Sequence, residues 1–225
     1  MGTLKIGLVT IGQSPRTDVT PIIKKALGLE VELVEKGALD GLTREEIDMF
    51  APVAGDYVLV TRIRDGTSVE VARRHVFPRV QKCIEELEEI GVDLTLLLCT
   101  AEFPEIKTKK LLIHPDKLIA NIIWGILNRG KLAVVVPEKK QIPFSKRKWK
   151  NKGISLVIAT ANPYGEIKAS KEAATFLAKQ NVDLIVLDCI GFTPKIKELF
   201  RCLTGKPVIL PQTVIGHILK ELVSA

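Results

Sequence analysis

Short apolar runs recur along the chain and alternate with amphipathic stretches, and this pattern restricts the fold more than any other feature. Examples are KIGLVT at 5–10, LTLLLC at 94–99 and LAVVV at 132–136, in which few polar residues interrupt the apolar ones. Strands that are buried on both faces have this composition, and they occur in parallel sheets that helices cover on both sides. The sequence therefore predicts an α/β fold.

The same pattern gives the expected positions of the individual elements. Strands are predicted at Lys5–Thr10, Val31–Val34, Tyr57–Thr61, Leu94–Cys99, Leu111–Ile113, Leu132–Val136, Ser155–Thr160, Leu184–Asp188 and Val208–Leu210. Helices are predicted after a capping box at Thr43 and Glu46, and at Ser68–Ile90, Lys117–Asn128, Glu166–Lys179, Pro194–Leu203 and Thr213–Val223. We expect Pro78 to kink or divide the long helix, and Thr193 to cap the helix that begins at Pro194.

An internal repeat links two of these strands. The pattern Val-Asp-Leu-x-x-Leu-x-Cys at 92–99 returns at 182–189, an offset of 90 residues, and a phenylalanine follows each cysteine closely. Weaker matches join KIGLVT to LAVVV with its preceding lysine, and YVLVT at 57–61 to SLVIAT at 155–160. Chance identity is common in strands rich in Leu and Val. The cysteine at the same end of both strands nevertheless favours a duplication, and hence two similar α/β halves.

Charge and cysteine content restrict the class of protein. The net charge is +7, but the basic segment (residues 138–152) holds seven basic residues against one acid, so the rest is near neutral. A basic run around Trp149 can bind nucleic acid, although the solvated face of a helix is the more frequent explanation, and nucleic acid is an unlikely partner. Four cysteines without a CxxC pair and three scattered histidines predict no metal site and no disulfide framework. With no long apolar run, we expect a cytoplasmic protein without a membrane segment.

Polar residues follow the first and third predicted strands, where ligands bind in open parallel sheets. Gln13, Ser14 and Arg16 lie in the first loop (residues 11–18), which either binds an anion or is an ordinary βα loop in which Asp18 or Thr20 caps the next helix. After the third strand, Arg62 is a candidate to clamp a carboxylate through two hydrogen bonds. A surface ion pair is the alternative for the neighbouring Arg64.

Cys99 and Cys189 each end a predicted strand. A thiolate near a helix N-terminus is a good base or nucleophile, and two thiols on opposite faces of a substrate carbon can remove and return a proton. The alternative is that each is a small buried apolar residue, and this is the expected role of Cys83 and Cys202, which lie inside predicted helices. Asp188 precedes Cys189 on the opposite face of its strand, and we expect a structural role for it.

Several segments together resemble the AroM family, over essentially the whole chain. They are TIGQSPR at 10–16 with Asp18, APVAG at 51–55, the pair Arg73-Arg74, and LDCIGF at 187–192. The family name reflects a genetic association with aromatic-acid biosynthesis. The resemblance therefore also allows a non-enzymatic protein that binds or senses a small molecule of aromatic amino-acid metabolism.

More distantly, the layout resembles the aspartate/glutamate racemase superfamily, which includes amino-acid and hydantoin racemases, maleate isomerase and arylmalonate decarboxylase. That resemblance implies two pseudo-symmetric, three-layer parallel-sheet domains, residues 1–114 with 212–225 and residues 115–211. It further implies a site in the cleft between them, no cofactor, and strand-end cysteines at Cys99 and Cys189. Amino-acid racemases commonly carry Cys-Asn-Thr and Cys-Thr-His, whereas this chain has Cys-Thr-Ala at 99–101 and Cys-Ile-Gly at 189–191.

These departures make another small carboxylate a better substrate than an amino acid. The leading expectation is a cofactor-independent, cysteine-based isomerase, racemase or decarboxylase, with Cys189 as the main acid/base or nucleophile and Cys99 as its partner. A homodimer is left open. Backbone N–H groups near Gly191 are expected to stabilise an enolate-like oxyanion. The expected substrate-binding residues are Gln13, Ser14, Arg16, Thr61, Arg62, Thr100, Thr160 and Gly191.

Overall fold

The computed structural model describes residues 4–28 and 30–224. Its strands are β1 (Lys5–Thr10), β2 (Glu32–Gly37), β3 (Val58–Arg62), β4 (Ser68–Ala72), β5 (Leu94–Leu98), β6 (Leu111–Ile113), β7 (Gly130–Val136), β8 (Ile154–Thr160), β9 (Leu184–Leu187) and β10 (Val208–Ile209). Its α-helices are α1 (Thr20–Leu27), α2 (Arg44–Asp48), α3 (Arg73–Ile90), α4 (Pro115–Ile126), α5 (Ile142–Lys148), α6 (Ile167–Ala178), α7 (Pro194–Thr204) and α8 (Pro211–Val223). A short 3₁₀ helix, Lys139–Gln141, precedes α5.

The chain divides into two compact units. The first unit comprises the residues up to Asp116 and those from Ile215 on, and the second unit comprises Lys117–Val214. The first contains a parallel sheet in the order β2-β1-β5-β6, and the second contains a parallel sheet in the order β8-β7-β9-β10. In both sheets, the second strand along the chain lies outside the first, followed by the third and the fourth. The predicted pair of similar parallel-sheet halves is confirmed.

The second unit has three layers. Along β7, Ala133 and Val135 pack in one apolar cluster with residues of α6 and α7, whereas Leu132, Val134 and Val136 pack in another with α4 and Trp149. Because successive strand residues point to opposite faces, both faces of this sheet are covered. The uninterrupted apolar run of β7 is explained by this double burial.

The repeated Val-Asp pair has the same structural role in both units. The carboxylate of Asp93 accepts the backbone N–H of Lys5 at 2.8 Å, and that of Asp183 accepts the backbone N–H of Lys131 at 2.7 Å. Each aspartate thereby provides an acceptor for a backbone N–H at the start of the neighbouring central strand. This end of the repeat is therefore structural.

Residues 68–72 correct one prediction. The long helix was expected to begin at Ser68, but β4 occupies 68–72 and forms an antiparallel hairpin with β3, separate from both parallel sheets. The alternation of buried Val69 and Val71 with more exposed residues is the period of a strand, which the helix prediction overlooked. Helix α3 begins at Arg73 and continues without interruption past Pro78, which neither ends nor divides it.

The hairpin also corrects the weaker internal match. By strand order, β8 corresponds to β2, so the likeness of YVLVT to SLVIAT does not follow the duplication. The predicted caps are confirmed: Thr43 and Glu46 form a capping box, and the hydroxyl of Thr193 accepts the N–H of Ile196. Among the described residues, no helix is both long and apolar enough to cross a membrane.

Candidate functional site

Both strand-end cysteines lie in the same kind of turn. In the Cys99 turn (residues 99–101), the N–H of Cys99 donates to the carbonyl of Leu97 at 2.9 Å, and the N–H of Ala101 points at the sulfur at 3.4 Å. In the Cys189 turn (residues 189–191), the corresponding distances are 2.8 Å to Leu187 and 3.5 Å from the N–H of Gly191. An N–H dipole directed at sulfur stabilises negative charge on it. Each cysteine is 7% exposed.

Tyr164 covers the Cys189 turn, and sequence reasoning missed it. A Cβ placed on Gly191 would overlap the hydroxyl, Cζ and Cε1 of Tyr164, so the edge of the phenol lies directly over the glycine. The close approach requires glycine at 191 because no other residue leaves this space. The sequence did contain signals for this contact. Tyr164 follows β8, and sites form at the ends of parallel strands. A glycine two residues after a candidate thiol also indicates a close contact.

Gln212 holds the same turn from a different strand end, and it was also missed. Its side chain is fully buried, and its amide N–H donates to the carbonyl of Ile190. Its carbonyl oxygen has no hydrogen-bond partner among the described residues. The turn that carries Cys189 is thus fixed by residues that follow β8 and β10.

The loop that carries Tyr164 is itself anchored. The side-chain oxygen of Asn162 accepts the N–H of Tyr164 at 2.9 Å, and its amide donates to Glu138 at 3.0 Å. Glu138 follows β7, so side chains from the ends of β7, β8 and β9 meet at one edge of the sheet. Thr160, the predicted substrate-binding residue of this unit, is the last residue of β8 and is partly buried.

Asp188 has a structural partner, as expected. Its carboxylate accepts hydrogen bonds from Lys148 at 2.7 Å and 3.0 Å and from the indole N–H of Trp149 at 2.6 Å. Both charged side chains of this ion pair are only 6% exposed. One cation and the aromatic ring of the basic segment are therefore turned into the core, where Trp149 is fully buried.

Around the Cys99 turn the neighbours differ. The N–H of Glu102 donates to the hydroxyl of Tyr57 at 3.3 Å, and Arg73 donates to the carbonyl of Glu102 at 2.6 Å. The guanidinium of Arg73 stacks 4.1 Å from the centre of the Tyr57 ring. Thr100, predicted to bind substrate, is 5% exposed in this turn. The hairpin thus supports the segment that follows Cys99.

In the first loop, the polar groups of Gln13 and Ser14 bind the protein itself. The amide of Gln13 donates to the carbonyls of Leu39 and Leu42, both at 3.2 Å, and its oxygen accepts the N–H of Arg64 at 2.9 Å. The hydroxyl of Ser14 donates to Asp40 at 2.5 Å, and its N–H donates to the same carboxylate at 2.8 Å. These contacts fasten the loop to the segment after β2.

Arg16 forms an internal ion pair. It is 2% exposed, binds Asp18 through two nitrogens at 2.8 Å each, and donates to the hydroxyl of Thr10 at 3.0 Å. Burial would raise the pKa of Asp18, but the hydrogen bond and charge of Arg16, helped by the charge of Arg62, outweigh it and lower the pKa. Asp18 does not cap helix α1, because Val19 occupies that position.

The side chains of Arg62 and Thr61 form fewer hydrogen bonds to the described residues than the side chain of Arg16 does. The hydroxyl of Thr61 is buried and has no hydrogen-bond partner among the described residues. The Nε of Arg62 donates to the carbonyl of Gly66 at 2.8 Å. The structure brings Arg62 together with Gln13 and Arg16 around a cavity of about 150 Å³ in the first unit.

Of the other two cysteines, Cys83 is buried as expected, whereas the expectation that Cys202 is a buried apolar residue is wrong. Burial, with the charges of Glu86 and Asp40, raises the pKa of Cys83 to about 11, so this thiol stays neutral. Cys202 is exposed, and its hydrogen bond to Glu198 raises its pKa. No group of three or more His, Cys, Asp or Glu side chains in the described part of the chain is placed to hold a metal ion.

Solved structures of racemases and isomerases share this fold. An aspartate racemase from Picrophilus torridus is 14% identical with a TM-score of 0.62, covering 97% of this chain and 94% of that one. The maleate isomerase Iso from Pseudomonas putida is 14% identical with a TM-score of 0.62, covering 98% and 93%. A glutamate racemase from Francisella tularensis, in complex with D-glutamate, is 15% identical with a TM-score of 0.64, covering 98% and 81%. The chain therefore has an aspartate/glutamate racemase-like α/β fold.

The sequence itself gives the family. The family model described as AroM protein matches residues 6–223, and the chain belongs to the AroM family. Curated proteins gave no sequence match.

Proposed function

We propose that this protein is a cofactor-independent isomerase, racemase or decarboxylase of a small carboxylate, with Cys189 as the main acid/base or nucleophile and Cys99 as its partner. The observation that carries the proposal is the pair of matching turns, each with an N–H directed at the sulfur, at 3.4 Å and 3.5 Å. A duplication that kept only packing would not need to preserve this geometry at both sulfurs. The likeness to racemases and a maleate isomerase supports the same class of reaction.

The chemistry requires one thiolate and one thiol. The thiolate removes the proton from the carbon next to the carboxylate, and the resulting enolate-like carbanion takes a proton from the other thiol on its opposite face. In a decarboxylation, carbon dioxide leaves instead and a thiol protonates the carbanion. The N–H groups of Cys189 and Gly191 are directed at the Leu187 carbonyl and at the sulfur, so we expect the N–H of Ile190 to stabilise the developing negative charge.

The test combines binding and exchange. Small carboxylates are screened for a rise in melting temperature, and each that binds is incubated with the protein in heavy water while deuterium at the carbon next to the carboxylate is followed by NMR. We expect incorporation, or loss of carbon dioxide, that falls at least a hundredfold in Cys99→Ser and in Cys189→Ser. Cys202→Ser is the matched control and should keep full activity, since Cys202 lies exposed on α7. Full turnover in Cys189→Ser would contradict the mechanism.

A second candidate is a non-enzymatic protein that binds or senses a small molecule of aromatic amino-acid metabolism. It is favoured by the first loop, where Gln13, Ser14 and Arg16 all bind the protein itself, and by the 7% exposure of both cysteines. This alternative predicts a carboxylate that raises the melting temperature equally in the wild type and in both serine variants, with no exchange of deuterium.

A further inference from the structure

The side chain of Arg62 is held in place but has donors left over. Its Nε donates to the carbonyl of Gly66 at 2.8 Å, and its own carbonyl accepts the N–H of Gln13 at 3.3 Å. Among the described residues, no acceptor binds the two terminal nitrogens of its guanidinium. A partly buried guanidinium with unused parallel donors is suited to bind a carboxylate with two hydrogen bonds.

Gly66 makes this arrangement possible. It has a φ of +92°, which favours glycine, and a Cβ there would come within 2.8 Å of a terminal nitrogen of Arg62. The hairpin loop (residues 63–67) therefore folds closely around the guanidinium and fixes it before any ligand arrives. Fixing a binding group in advance reduces the entropy lost on binding.

The surroundings of Arg62 favour a singly charged anion. The cavity is lined by three arginines, Arg16, Arg62 and Arg64, and by two aspartates, Asp18 and Asp65, a formal balance of +1. Arg16 is neutralised by Asp18 at 2.8 Å, and Arg64 lies 3.6 Å from Asp40, outside the lining. Arg62 is thus the cation whose charge is least compensated at short range.

We propose that the cavity between the first loop and the hairpin loop binds the carboxylate of a small ligand, and that Arg62, rather than Arg16, is the arginine that binds it. The cavity, at about 150 Å³, holds a molecule of a few non-hydrogen atoms. The second unit has no hairpin between corresponding strands among its described residues, so this site belongs to the first unit alone. The inference deepens the proposed function, because it names the group that holds the anionic end of the substrate, but it requires no chemistry at sulfur.

Arginine footprinting on the wild-type protein gives the direct test. Phenylglyoxal modification is mapped by mass spectrometry at constant ionic strength, with acetate, malonate, inorganic phosphate or chloride present. We expect acetate and malonate to slow modification of Arg62 at least fivefold and to leave Arg44, an exposed arginine on α2, unchanged. Equal rates at Arg62 with and without carboxylate would overturn the proposal, and stronger protection by phosphate would overturn the choice of carboxylate.

A pair of variants tests the role of the guanidinium shape. Arg62→Lys keeps the charge but loses the parallel donors, so malonate affinity by calorimetry should fall at least tenfold, whereas Arg44→Lys should change it less than twofold. Equal affinity in both variants would contradict the inference.

The double variant Cys99→Ser/Cys189→Ser separates this inference from the proposed function. Protection of Arg62 by malonate should persist in it. If malonate protected Arg62 but the wild type showed no deuterium exchange, only the cysteine mechanism would be contradicted. If the wild type showed exchange but malonate did not protect Arg62, only the assignment of Arg62 would be contradicted.

Discussion

The Cys99 turn and the Cys189 turn share their backbone geometry but not their neighbours. In each, the cysteine N–H donates to the carbonyl two residues earlier and the N–H two residues later points at the sulfur. The residue before the cysteine is the buried Leu98 in one and Asp188, paired with Lys148, in the other. The third residue is Ala101 in one and Gly191, covered by Tyr164, in the other.

The comparison separates the features that the two turns share from those that they do not. The backbone of the turn and its N–H contact with sulfur are present in both units, whereas the ion pair of Asp188 with Lys148 and the cover by Tyr164 belong to the Cys189 turn. If the cysteines were merely core residues, the geometry at sulfur would have no reason to persist where packing has changed. The comparison therefore supports unequal but related roles for the two thiols.

The ion pair beneath Cys189 should give the largest effect. Lys148→Met leaves the buried carboxylate of Asp188 without its cation, and removal of one partner of a buried pair costs about 3–5 kcal/mol of unfolding free energy. Adding Asp188→Leu, the residue type found before Cys99, should recover most of this loss because no charge then remains buried. Urea unfolding measures both.

The exposed pair of Arg201 with Glu198 on α7 is the matched control for that measurement. Arg201→Met should lower the free energy of unfolding far less than Lys148→Met does, since exposed ion pairs contribute little. If Lys148→Met were no more costly than Arg201→Met, the pair would not support the Cys189 turn.

The cover over Cys189 is tested by exchanging the third residues of the two turns. Gly191→Ala forces Tyr164 aside, at a cost of about 1–3 kcal/mol, and should expose the sulfur, so that iodoacetamide modifies Cys189 at least fivefold faster. Ala101→Gly changes no such contact and should leave Cys99 reactivity within twofold. Mass spectrometry of the modified peptides reads both cysteines in one sample, and equal acceleration of both would indicate general loosening instead.

The parallel sheets were predictable because their central strands, β1, β5, β7 and β9, are buried on both faces, and double burial leaves a sequence signal in nearly every residue of those strands. The hairpin was missed where that signal weakens, at Ser68–Ala72, since five alternating residues next to a true helix are easily counted as its first turns. Both cysteines were chosen as candidates by the rule that sites follow parallel strands, and the structure places each of them directly after such a strand or one residue further on.

The partners of the site residues were not predictable in the same way. Whether Arg16 binds a ligand or Asp18 depends on where the loop turns, and whether Ser14 is available depends on Asp40, 26 residues further on. Tyr164 and Gln212 lie 25 and 23 residues from Cys189, and only the folded sheet brings them to its turn. Side-chain pairing across such distances is set by tertiary structure, which composition and spacing do not contain.

The amino ends of the repeated strands should behave alike, in contrast to the cysteine ends. Asp93→Ala and Asp183→Ala each remove a charged acceptor from a strand N–H at 2.8 Å and 2.7 Å. We expect each to cost about 0.5–1.5 kcal/mol, the usual net contribution of a hydrogen bond, because both aspartates are exposed. Urea unfolding should give values within about 0.5 kcal/mol of each other, and a clear inequality would show that the repeat is not equivalent at this end.

The loops that follow β1 and β7 are held in place by different interactions, and this difference should give the smallest of the expected effects on stability. The first loop carries the Arg16–Asp18 ion pair, whereas the loop after β7 is held by hydrogen bonds of Glu138 with Gln141 and Asn162. Because Arg16 lowers the folded-state pKa of Asp18 below its ordinary value of 3.8, the pair contributes stability in full above that value and loses it as the pH falls through the folded pKa.

The free energy of unfolding of the wild type minus that of Asp18→Asn should therefore stay constant from pH 7 to about pH 5, where an unpaired Asp is still ionised. Below the ordinary pKa of 3.8 it should shrink, by at most about 1.4 kcal/mol per pH unit for one titrating group. Urea unfolding at pH 7, 5, 4 and 3 measures it, with Glu138→Gln as the counterpart in the second unit. A difference that grows as the pH falls from 7 to 5 would mean that burial raises the pKa of Asp18 and that Arg16 does not hold it in its charged form, and Arg16 would return as a candidate for ligand binding.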